Sequence, residues 1–355
     1  MSFESLKNRM QVNKKIVSFG ELMLRFSPPG FERFFQSPVM QARFGGGESN
    51  VLVSLAMQGM DTKFISAFPD NEIGEAALRH LKGYGIDVSS VIKKKDSRMG
   101  TYYMERGANQ RPSRVIYDRA GSAVSETGKG EIDWGRALEG CGWFHVTGIT
   151  PALSKKAADM TLEALKAAGD AGMVISCDLN YRKKLWNYGV STQEVMREIA
   201  GYADVIIANE EDCQMCLGMG TGIDPGSGRI MESDYRGLAA DVLNEFRKVS
   251  VLAITLRESL SASHNRWGAC ICDGSGTYFS GRYDITHIVD RVGGGDSFCA
   301  GLIYGLLHFP SVNEALDYAV AASALAHSIE GDANLSTADE IMELYSGEAS
   351  GRIKR

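Results

Sequence analysis

Short apolar strands alternate with amphipathic helices over most of the 355-residue chain, and this alternation restricts the folds open to it. Segments such as 173–180 and 204–209 are apolar at consecutive positions, which is typical of strands covered on both faces. Strands that alternate with helices form βαβ units with a parallel sheet. The sequence therefore predicts an α/β fold with three layers, in which a mostly parallel central sheet lies between two layers of helices.

The predicted elements follow one another without a repeat or a linker, so we expect a single domain over residues 1–355. The predicted strands are 15–22, 63–68, 142–148, 173–180, 204–209 and 251–256. The predicted helices are 50–59, 72–85, 154–169, 191–201, one that begins at 210, and 234–248.

Two segments interrupt the alternation, at about 22–44 and 98–119. The first carries alternating apolar and polar residues around a Pro-Pro-Gly turn, and the second contains two strand-like stretches around GANQRP. We interpret them as a small β-strand lid inserted in the domain, with ordinary loops as the alternative. So small a segment cannot bury its own apolar side chains, which predicts a homodimer through the lid, or a higher homo-oligomer. The apolar residues in question are Leu24, Phe26, Phe34 and Phe35.

The composition excludes several classes of protein. The formal net charge is −6, which argues against a nucleic-acid partner. No apolar run reaches the length of a membrane span, and the N-terminus lacks the apolar stretch of a signal peptide, so we expect a cytoplasmic protein without a membrane partner. Seven cysteines in so long a chain are typical of reduced thiols. The pairs at 213/216 and 270/272 fall in apolar stretches, which favours buried thiols over zinc.

The segment DRVGGGDSFCAG (290–301) places Gly293, Gly294 and Gly295 directly before Asp296 and a helix. Backbone N–H groups at a helix N-terminus can bind an anion. A carboxylate beside an anion site is unfavourable unless it acts as a base and loses its charge to a proton. The alternative is that Asp296 only caps the helix.

Polar side chains follow three of the predicted strands. In FGGGESN (44–50) the glycines permit close backbone approach to a ligand and Asn50 can hydrogen-bond sugar hydroxyls, although a simple turn explains them equally well. Asp178, Asn180 and Arg182 follow another strand, at the edge where parallel sheets place ligands. Arg182 can bind a carboxylate or phosphate, or it is an exposed surface residue. The acidic stretch 209–212 can hold the waters of a magnesium ion, or favour a helix start.

Neither a Gly-x-Gly-x-x-Gly segment after the first strand nor a Walker A sequence occurs, so a dinucleotide fold or a P-loop is poorly supported. The segment 290–301 instead resembles the C-terminal signature of the ribokinase-like (PfkB) carbohydrate kinases, and 45–50 resembles the N-terminal Gly-Gly motif of that family. The resemblance covers about residues 15–345. It implies the ribokinase-like fold, with the β-strand lid. Within the family, VIYDRAGSA (115–123), HVTGITPALS (145–154) and DLNYRKKLW (178–186) are similar to strings of 2-keto-3-deoxygluconate kinases.

This resemblance implies roles for individual residues. Asp296 would be the catalytic base, and the three glycines before it would form the anion hole. Contacts to the acidic sugar are implied for Gly46, Asn50, Tyr102, Tyr117, Arg119 and Arg182. The family's Asn-x-x-Glu motif corresponds to Asn209 and Asp212, so Asp212 would hold Mg²⁺ through water, with no direct protein ligand.

For the nucleotide, the resemblance implies Thr255, Arg257 and, on the helix against adenine, Ala322. Two departures stand out. Arg291 replaces a usually small residue, and the segment 256–271 is several residues longer than the turn found in relatives.

The resemblance therefore implies an ATP- and Mg²⁺-dependent kinase that phosphorylates the terminal hydroxyl of 2-keto-3-deoxygluconate to give 2-keto-3-deoxy-6-phosphogluconate, with a monovalent cation as an optional cofactor. The alternatives are a kinase for a neutral sugar such as fructose and a non-catalytic sugar-binding relative. Asp296 argues against the latter, since a protein without catalysis needs no base.

Overall fold

The computed structural model describes residues 3–10, 14–220 and 231–348. Its strands are β1 Lys15–Phe19, β2 Met23–Ser27, β3 Gln41–Gly45, β4 Thr62–Pro69, β5 Val91–Lys94, β6 Thr101–Glu105, β7 Arg114–Asp118, β8 Cys141–Thr147, β9 Val174–Asp178, β10 Val205–Ala208, β11 Val251–Ser261, β12 His264–Asp273, β13 Gly276–Phe279 and β14 Tyr283–Ile285. Its helices are α1 Phe3–Lys7, α2 Gly47–Met57, α3 Glu72–Gly83, α4 Trp134–Ala137, α5 Ile149–Ala152, α6 Lys155–Asp170, α7 Thr192–Tyr202, α8 Glu210–Asp212, α9 Glu232–Glu245, α10 Gly294–His308, α11 Val312–Ala326 and α12 Ala338–Tyr345, with a π-helical turn at Cys213–Leu217.

The strands form two sheets. The large sheet has the order β13-β12-β11-β10-β9-β8-β1-β4-β5, with β14 also paired to β12. From β11 through to β5 every neighbouring pair is parallel. The pairs made by β12 are antiparallel. The sequence prediction of a mostly parallel central sheet is confirmed.

Helices cover the large sheet on both faces. Adjacent residues of one strand belong to different hydrophobic clusters: Ile175 packs with α6, α7 and α9, whereas Val174 packs with α2, α10 and α11. Because successive side chains of a strand point to opposite faces, both faces are buried. This explains the runs of consecutive apolar residues and confirms the three-layer α/β/α fold. Within the described ranges, no helix is both long and apolar enough to cross a bilayer.

Most predicted elements lie within a few residues of the observed ones, but β11 is an exception. The prediction ended this strand at residue 256, whereas it continues to Ser261 and pairs with β12 in the register Arg257↔Trp267. The residues beyond 256 are mostly exposed and polar, so they lack the apolar run on which the prediction relied. The extra length of segment 256–271 is therefore a long antiparallel hairpin.

The small sheet has the order β3-β2-β6-β7, and its four strands come from the two segments that interrupt the α/β alternation. In the first segment β2 and β3 are antiparallel, and in the second β6 and β7 are antiparallel. The two hairpins join through the parallel pair β2 and β6. The sequence prediction of a small β-sheet made by these segments is thus confirmed.

Close packing of α10 on α11 depends on glycines. A Cβ atom on Gly305 would lie 2.7 Å from the Cα atom of Ala315, which belongs to the facing helix backbone. In α6, by contrast, a Cβ atom on Gly169 would meet no atom within 4 Å. The same substitution at these two helical glycines should therefore have opposite effects.

We expect Gly305→Ala to lower the free energy of unfolding by about 1–3 kcal/mol, because the two helices must move apart. Gly169→Ala should leave it unchanged or raise it by up to about 1 kcal/mol, since alanine favours the helix. Urea unfolding of both variants measures the difference. Equal effects would contradict the helix contact described here.

Candidate active site

A cavity of about 810 Å³ lies at the carboxyl ends of the parallel strands, between the large sheet and the small sheet. Parallel strands end together at one edge, so side chains that are distant in sequence meet there. The large sheet and its helices supply the floor, and β2, β6 and β7 supply the opposite wall. The cavity contains the following sequence-predicted residues: Gly46, Asn50, Tyr102, Tyr117, Arg119, Arg182, Asn209, Asp212, Thr255, Arg257, Gly293, Gly294, Gly295 and Asp296.

Asp296 is the third residue of α10 and is buried at the cavity. The Nδ2 atom of Asn50 donates a hydrogen bond of 2.7 Å to its Oδ2 atom. Burial raises the pKa of the Asp296 carboxyl to about 7, although the bond from Asn50 works against this. At neutral pH the carboxylate and the carboxylic acid are therefore both populated, as suits a group that accepts and releases a proton.

The glycine loop before α10 has the geometry of an anion site. Gly293 caps the helix with φ 78°, in the left-handed region, and a Cβ atom there would lie 1.6 Å from the carbonyl oxygen of Asp332. Glycine is thus required at this position for two reasons. The first N–H groups of a helix lack acceptors within the helix, so those of Gly294, Gly295 and Asp296 can stabilise negative charge at the cavity.

Acidic groups gather at the ends of β9 and β10. Burial and the nearby charges of Asp212 and Asp296 raise the pKa of Asp178 well above its usual value. The Nδ2 atom of Asn180, a residue with φ 38°, lies 3.1 Å from the Oδ2 atom of Asp178. Asp212 accepts bonds from the backbone N–H groups of Tyr181, at 2.8 Å, and Asn209, at 2.9 Å.

These carboxylates have the oxygen chemistry that Mg²⁺ prefers. Glu210 and Glu211 line the cavity beside Asp212. No group of three or more metal-ligating side chains occurs in the described part of the chain. Asp212 and Glu210 are the residues that would hold such an ion, through bound water.

Arg119 was expected to present a free guanidinium to the substrate, but in the structure it is paired with Glu21. Its Nε and Nη2 atoms both bind the Oε2 atom of Glu21, at 2.8 and 2.5 Å, and both side chains are buried. The guanidinium also lies 5.6 Å from the ring centroid of Tyr117. Its positive charge is thus largely neutralised before any ligand binds. The Oε1 atom of Glu21 is buried without a hydrogen-bond partner among the described residues.

Arg182 is an exposed cation of the cavity, as is Arg257. Its Nη1 atom donates to the carbonyl oxygen of Tyr181 at 2.9 Å, and none of the ion pairs among the described residues includes it. Burial raises the pKa of Asp212 and of Asp296, and the charge of Arg182 opposes this rise at both carboxyls, so Arg182 lies on their side of the cavity. Of the two arginines expected to bind an acidic sugar, Arg182 is therefore the one whose charge is available.

Of the remaining predicted residues, Tyr102, Thr255 and Arg257 line the cavity, whereas Ala322 does not. Tyr102 lines the cavity, but its hydroxyl donates to the Oδ2 atom of Asp332 instead of being free for a sugar. Thr255 and Arg257 lie on β11 along the cavity wall. Ala322 is fully buried, and its carbonyl oxygen accepts from Ser297 at 3.0 Å, so the structure does not bring it to the cavity.

Sequence reasoning assigned no site role to five charged residues of the cavity: Glu21, Glu48, Glu258, Arg291 and Asp332. Glu21 directly follows Gly20 at the end of the first strand. Because ligands bind at the carboxyl ends of parallel strands, this position could have indicated that Glu21 belongs to the site. Arg291 was set aside as a departure from a family pattern, yet its Nη2 atom binds the Asn265 side chain at 3.1 Å and supports the β11–β12 hairpin. The sequence around Asp332 does not indicate a place in the site, because only the fold brings this residue next to Gly293.

Comparisons with known proteins agree with this geometry. The family described as "pfkB family carbohydrate kinase" matches residues 13–339. The chain belongs to the PfkB family of carbohydrate kinases. It is therefore a phosphotransferase with an alcohol group as acceptor.

Its relatives include several sugar-acid kinases. A solved structure of 2-dehydro-3-deoxygluconokinase from Thermotoga maritima has a TM-score of 0.88 and 42% identity, and covers 94% of this chain and 100% of its own. The 2-dehydro-3-deoxygalactonokinase of Haloferax volcanii is 31% identical over 95% of this chain and 98% of its own length. The 2-dehydro-3-deoxygluconokinase of Bacillus subtilis is 28% identical over 96% and 98%.

We expect Asp296→Asn to lower kcat by roughly 10²–10⁴-fold, since the amide cannot accept the proton of the sugar hydroxyl. Sugar binding should change little, because the two side chains are nearly isosteric. A base acts in its ionised form, so with Asp296 in this role we expect wild-type kcat/KM to fall as the pH drops below about 7 and to level off above it.

Steady-state kinetics from pH 5 to 9 provide the measurement. Asp317→Asn is the matched control, because Asp317 lies on α11 outside the cavity, with the hydroxyl of Tyr278 2.9 Å away. Near-normal turnover by Asp296→Asn would remove this residue from the role of base.

Proposed function

We propose that this carbohydrate kinase uses ATP and Mg²⁺ to phosphorylate the terminal hydroxyl of 2-keto-3-deoxygluconate, giving 2-keto-3-deoxy-6-phosphogluconate. The observation that carries the proposal is the placement of Arg182, whose guanidinium forms no ion pair among the described residues, in the same cavity as Asp296 and its glycine loop. A neutral sugar has no group that would offset the desolvation of that charge. A carboxylate does, through charge-assisted hydrogen bonds.

The chemistry divides among the residues of the cavity. Asp296 accepts the proton as the sugar hydroxyl attacks the terminal phosphoryl group of ATP, whose bond to ADP breaks so that ADP leaves. The N–H groups at the start of α10 stabilise the charge that develops on the transferred group. When bound, Mg²⁺ would neutralise phosphate charge beside Asp212 and Glu210. Arg257, on the same wall as Thr255, would supply a cation on the proposed nucleotide side. The small sheet would act as the lid, which excludes water during transfer.

The seven cysteines are all buried and unpaired, as is usual in a reducing compartment, and this supports a cytoplasmic location.

Arg182→Ala should lower kcat/KM for 2-keto-3-deoxygluconate by roughly 10–10³-fold, the range expected for losing a charge-assisted bond. The loss for a neutral hexose such as fructose should be much smaller. A coupled ATP-consumption assay over both substrates, with 2-keto-3-deoxygalactonate added because one relative bears its name, measures the preference.

Lys184→Ala is the matched control for this variant. Lys184 is an exposed cation two residues away and is not part of the cavity lining, so its removal should leave all substrates unaffected. A wild-type preference for the neutral sugar, or equal losses for acid and neutral substrates in Arg182→Ala, would refute the sugar-acid assignment. The carbohydrate-kinase activity would stand in either case.

We also propose that the small sheet forms a dimer. Phe35 is 74% exposed, and Ile116 on the edge strand β7 is 55% exposed, whereas Leu24, Phe26 and Phe34 are half-buried. An exposed edge strand and apolar side chains on one small sheet favour contact with a second copy. Of the four apolar residues that the sequence analysis expected to be left unburied by the small sheet, only Phe35 is therefore largely exposed.

Sedimentation at micromolar concentration should show a dimer, and Ile116→Asp should weaken it at least about tenfold, because a charge would be buried in the contact. Met342→Asp, on the exposed side of α12, is the control and should leave the dimer intact. A strictly monomeric wild-type protein would end this proposal without affecting the kinase activity.

A further inference from the structure

One guanidinium is buried between the two sheets. Arg25, on β2 of the small sheet, is 2% exposed. Its Nη2 atom lies 2.6 Å from Asp290, its Nη1 atom 2.5 Å from Asp332, and its Nε atom 2.9 Å from the hydroxyl of Ser27. Burial opposes the charge of Arg25, but the two carboxylates outweigh it and raise its pKa. Every nitrogen of this guanidinium thus has a partner.

Asp332 lies where four segments meet. Its Oδ1 atom binds Arg25, and its Oδ2 atom accepts from the hydroxyl of Tyr102 on β6. A Cβ atom on Gly45, at the end of β3, would lie 2.3 Å from that Oδ2 atom. The backbone of Asp332 leaves no room for a side chain at Gly293. Three strands of the small sheet therefore contact the same residue that packs on the glycine loop.

Asp290 also connects Arg25 to the chain next to the glycine loop. Its Oδ1 atom accepts from the backbone N–H of Val292 at 3.2 Å, and its Oδ2 atom accepts from that of Gly331 at 3.3 Å. The carboxylates that bind Arg25 therefore also fix the chain immediately before Gly293 and beside Asp332. A displacement of the small sheet cannot leave the start of α10 unchanged unless these buried bonds break, which is costly for unpaired buried charges.

We propose that Asp332, paired with Arg25, is a positioning residue that couples the small sheet to the glycine loop, so that the seating of this sheet sets the geometry of the anion site and of Asp296. The proposal rests on the proposed function for its catalytic consequence. It does not require a particular sugar. It predicts that a change at Asp332 alters turnover although Asp332 takes no part in proton or phosphoryl transfer.

The negative charge of Asp332 allows a second test of the proposal, which uses the pH profile instead of the turnover rate. The groups that face Asp296 are Asn50 and Glu48 from α2, Asp178 and Arg182 from the β9 side, and Asp332. Of these, Asp332 disfavours the ionised form of Asp296 by like-charge repulsion, more than Glu48 does. Removing its charge should therefore shift the acidic limb of the pH profile of kcat/KM to lower pH. A residue with a purely structural role would not move this limb.

The test uses Asp332→Asn, which keeps the shape of the side chain and removes its charge. We expect kcat to fall by roughly 10–10³-fold, as for a misplaced catalytic group, while KM for ATP changes less than about threefold. Tyr102→Phe, which removes only the bond from β6, should have a smaller effect in the same direction. In both variants, hydrogen–deuterium exchange of the backbone amides in 293–297 should increase, a readout that needs no substrate.

Asp204→Asn is the matched control. Asp204 is also fully buried and ion-paired, with Arg9 at 2.5 Å, but it directly precedes β10, at the amino ends of the parallel strands and so away from the cavity. This variant should lose thermal stability and keep its kcat, its pH profile and the exchange of 293–297.

The proposal is wrong if Asp332→Asn retains kcat within about twofold, leaves the pH profile in place, or changes exchange no more than Asp204→Asn. A wild-type protein that prefers another sugar would refute the substrate assignment alone, because the same variants can be assayed with that sugar and the exchange experiment is unaffected.

Discussion

The buried guanidinium of Arg25 forms the polar contact on which the relation between the two sheets depends. Two carboxylates, Asp290 and Asp332, lie on either side of it within 2.6 Å. Charges so placed are stabilising only as a complete set, since the loss of one partner leaves the others desolvated. The small sheet is too small to supply a large apolar core of its own, and its buried cluster is limited to Met23, Tyr102 and Met104. Its seating on the large sheet is therefore determined by electrostatics as well as by apolar contact.

The cost of burying a charge also determines the protonation state of the carboxyl groups in the cavity. Burial raises the pKa of Asp296 to about 7 and that of Asp178 well above its usual value. The two carboxyl groups lie on different elements, but each disfavours the ionised form of the other. A hydrogen bond from Asn50 limits the effect at Asp296, which keeps this residue within the range useful for proton transfer near neutral pH.

Much of the fold could be predicted from the sequence because it depends on local periodicity. Strands buried on both faces, such as β10, have no polar residue to obscure the pattern. Asp296 could be found because its glycines and helix are contiguous. The pairs Arg119–Glu21 and Arg25–Asp332 could not, since their members are 98 and 307 residues apart and each residue alone reads as a surface charge. The end of β11 was missed because its outer half is polar and exposed.

The charge of the cavity has a consequence for the end of the catalytic cycle. Nine acidic residues line it, including the exposed Glu211 and Glu258, against four arginines, and one of these four is already paired with Glu21. Phosphoryl transfer gives a sugar that carries more negative charge than the acceptor that entered. Repulsion from the acidic lining raises the free energy of that product in the cavity more than that of the substrate. On the proposed function, the acidic lining would therefore favour departure of the phosphorylated product.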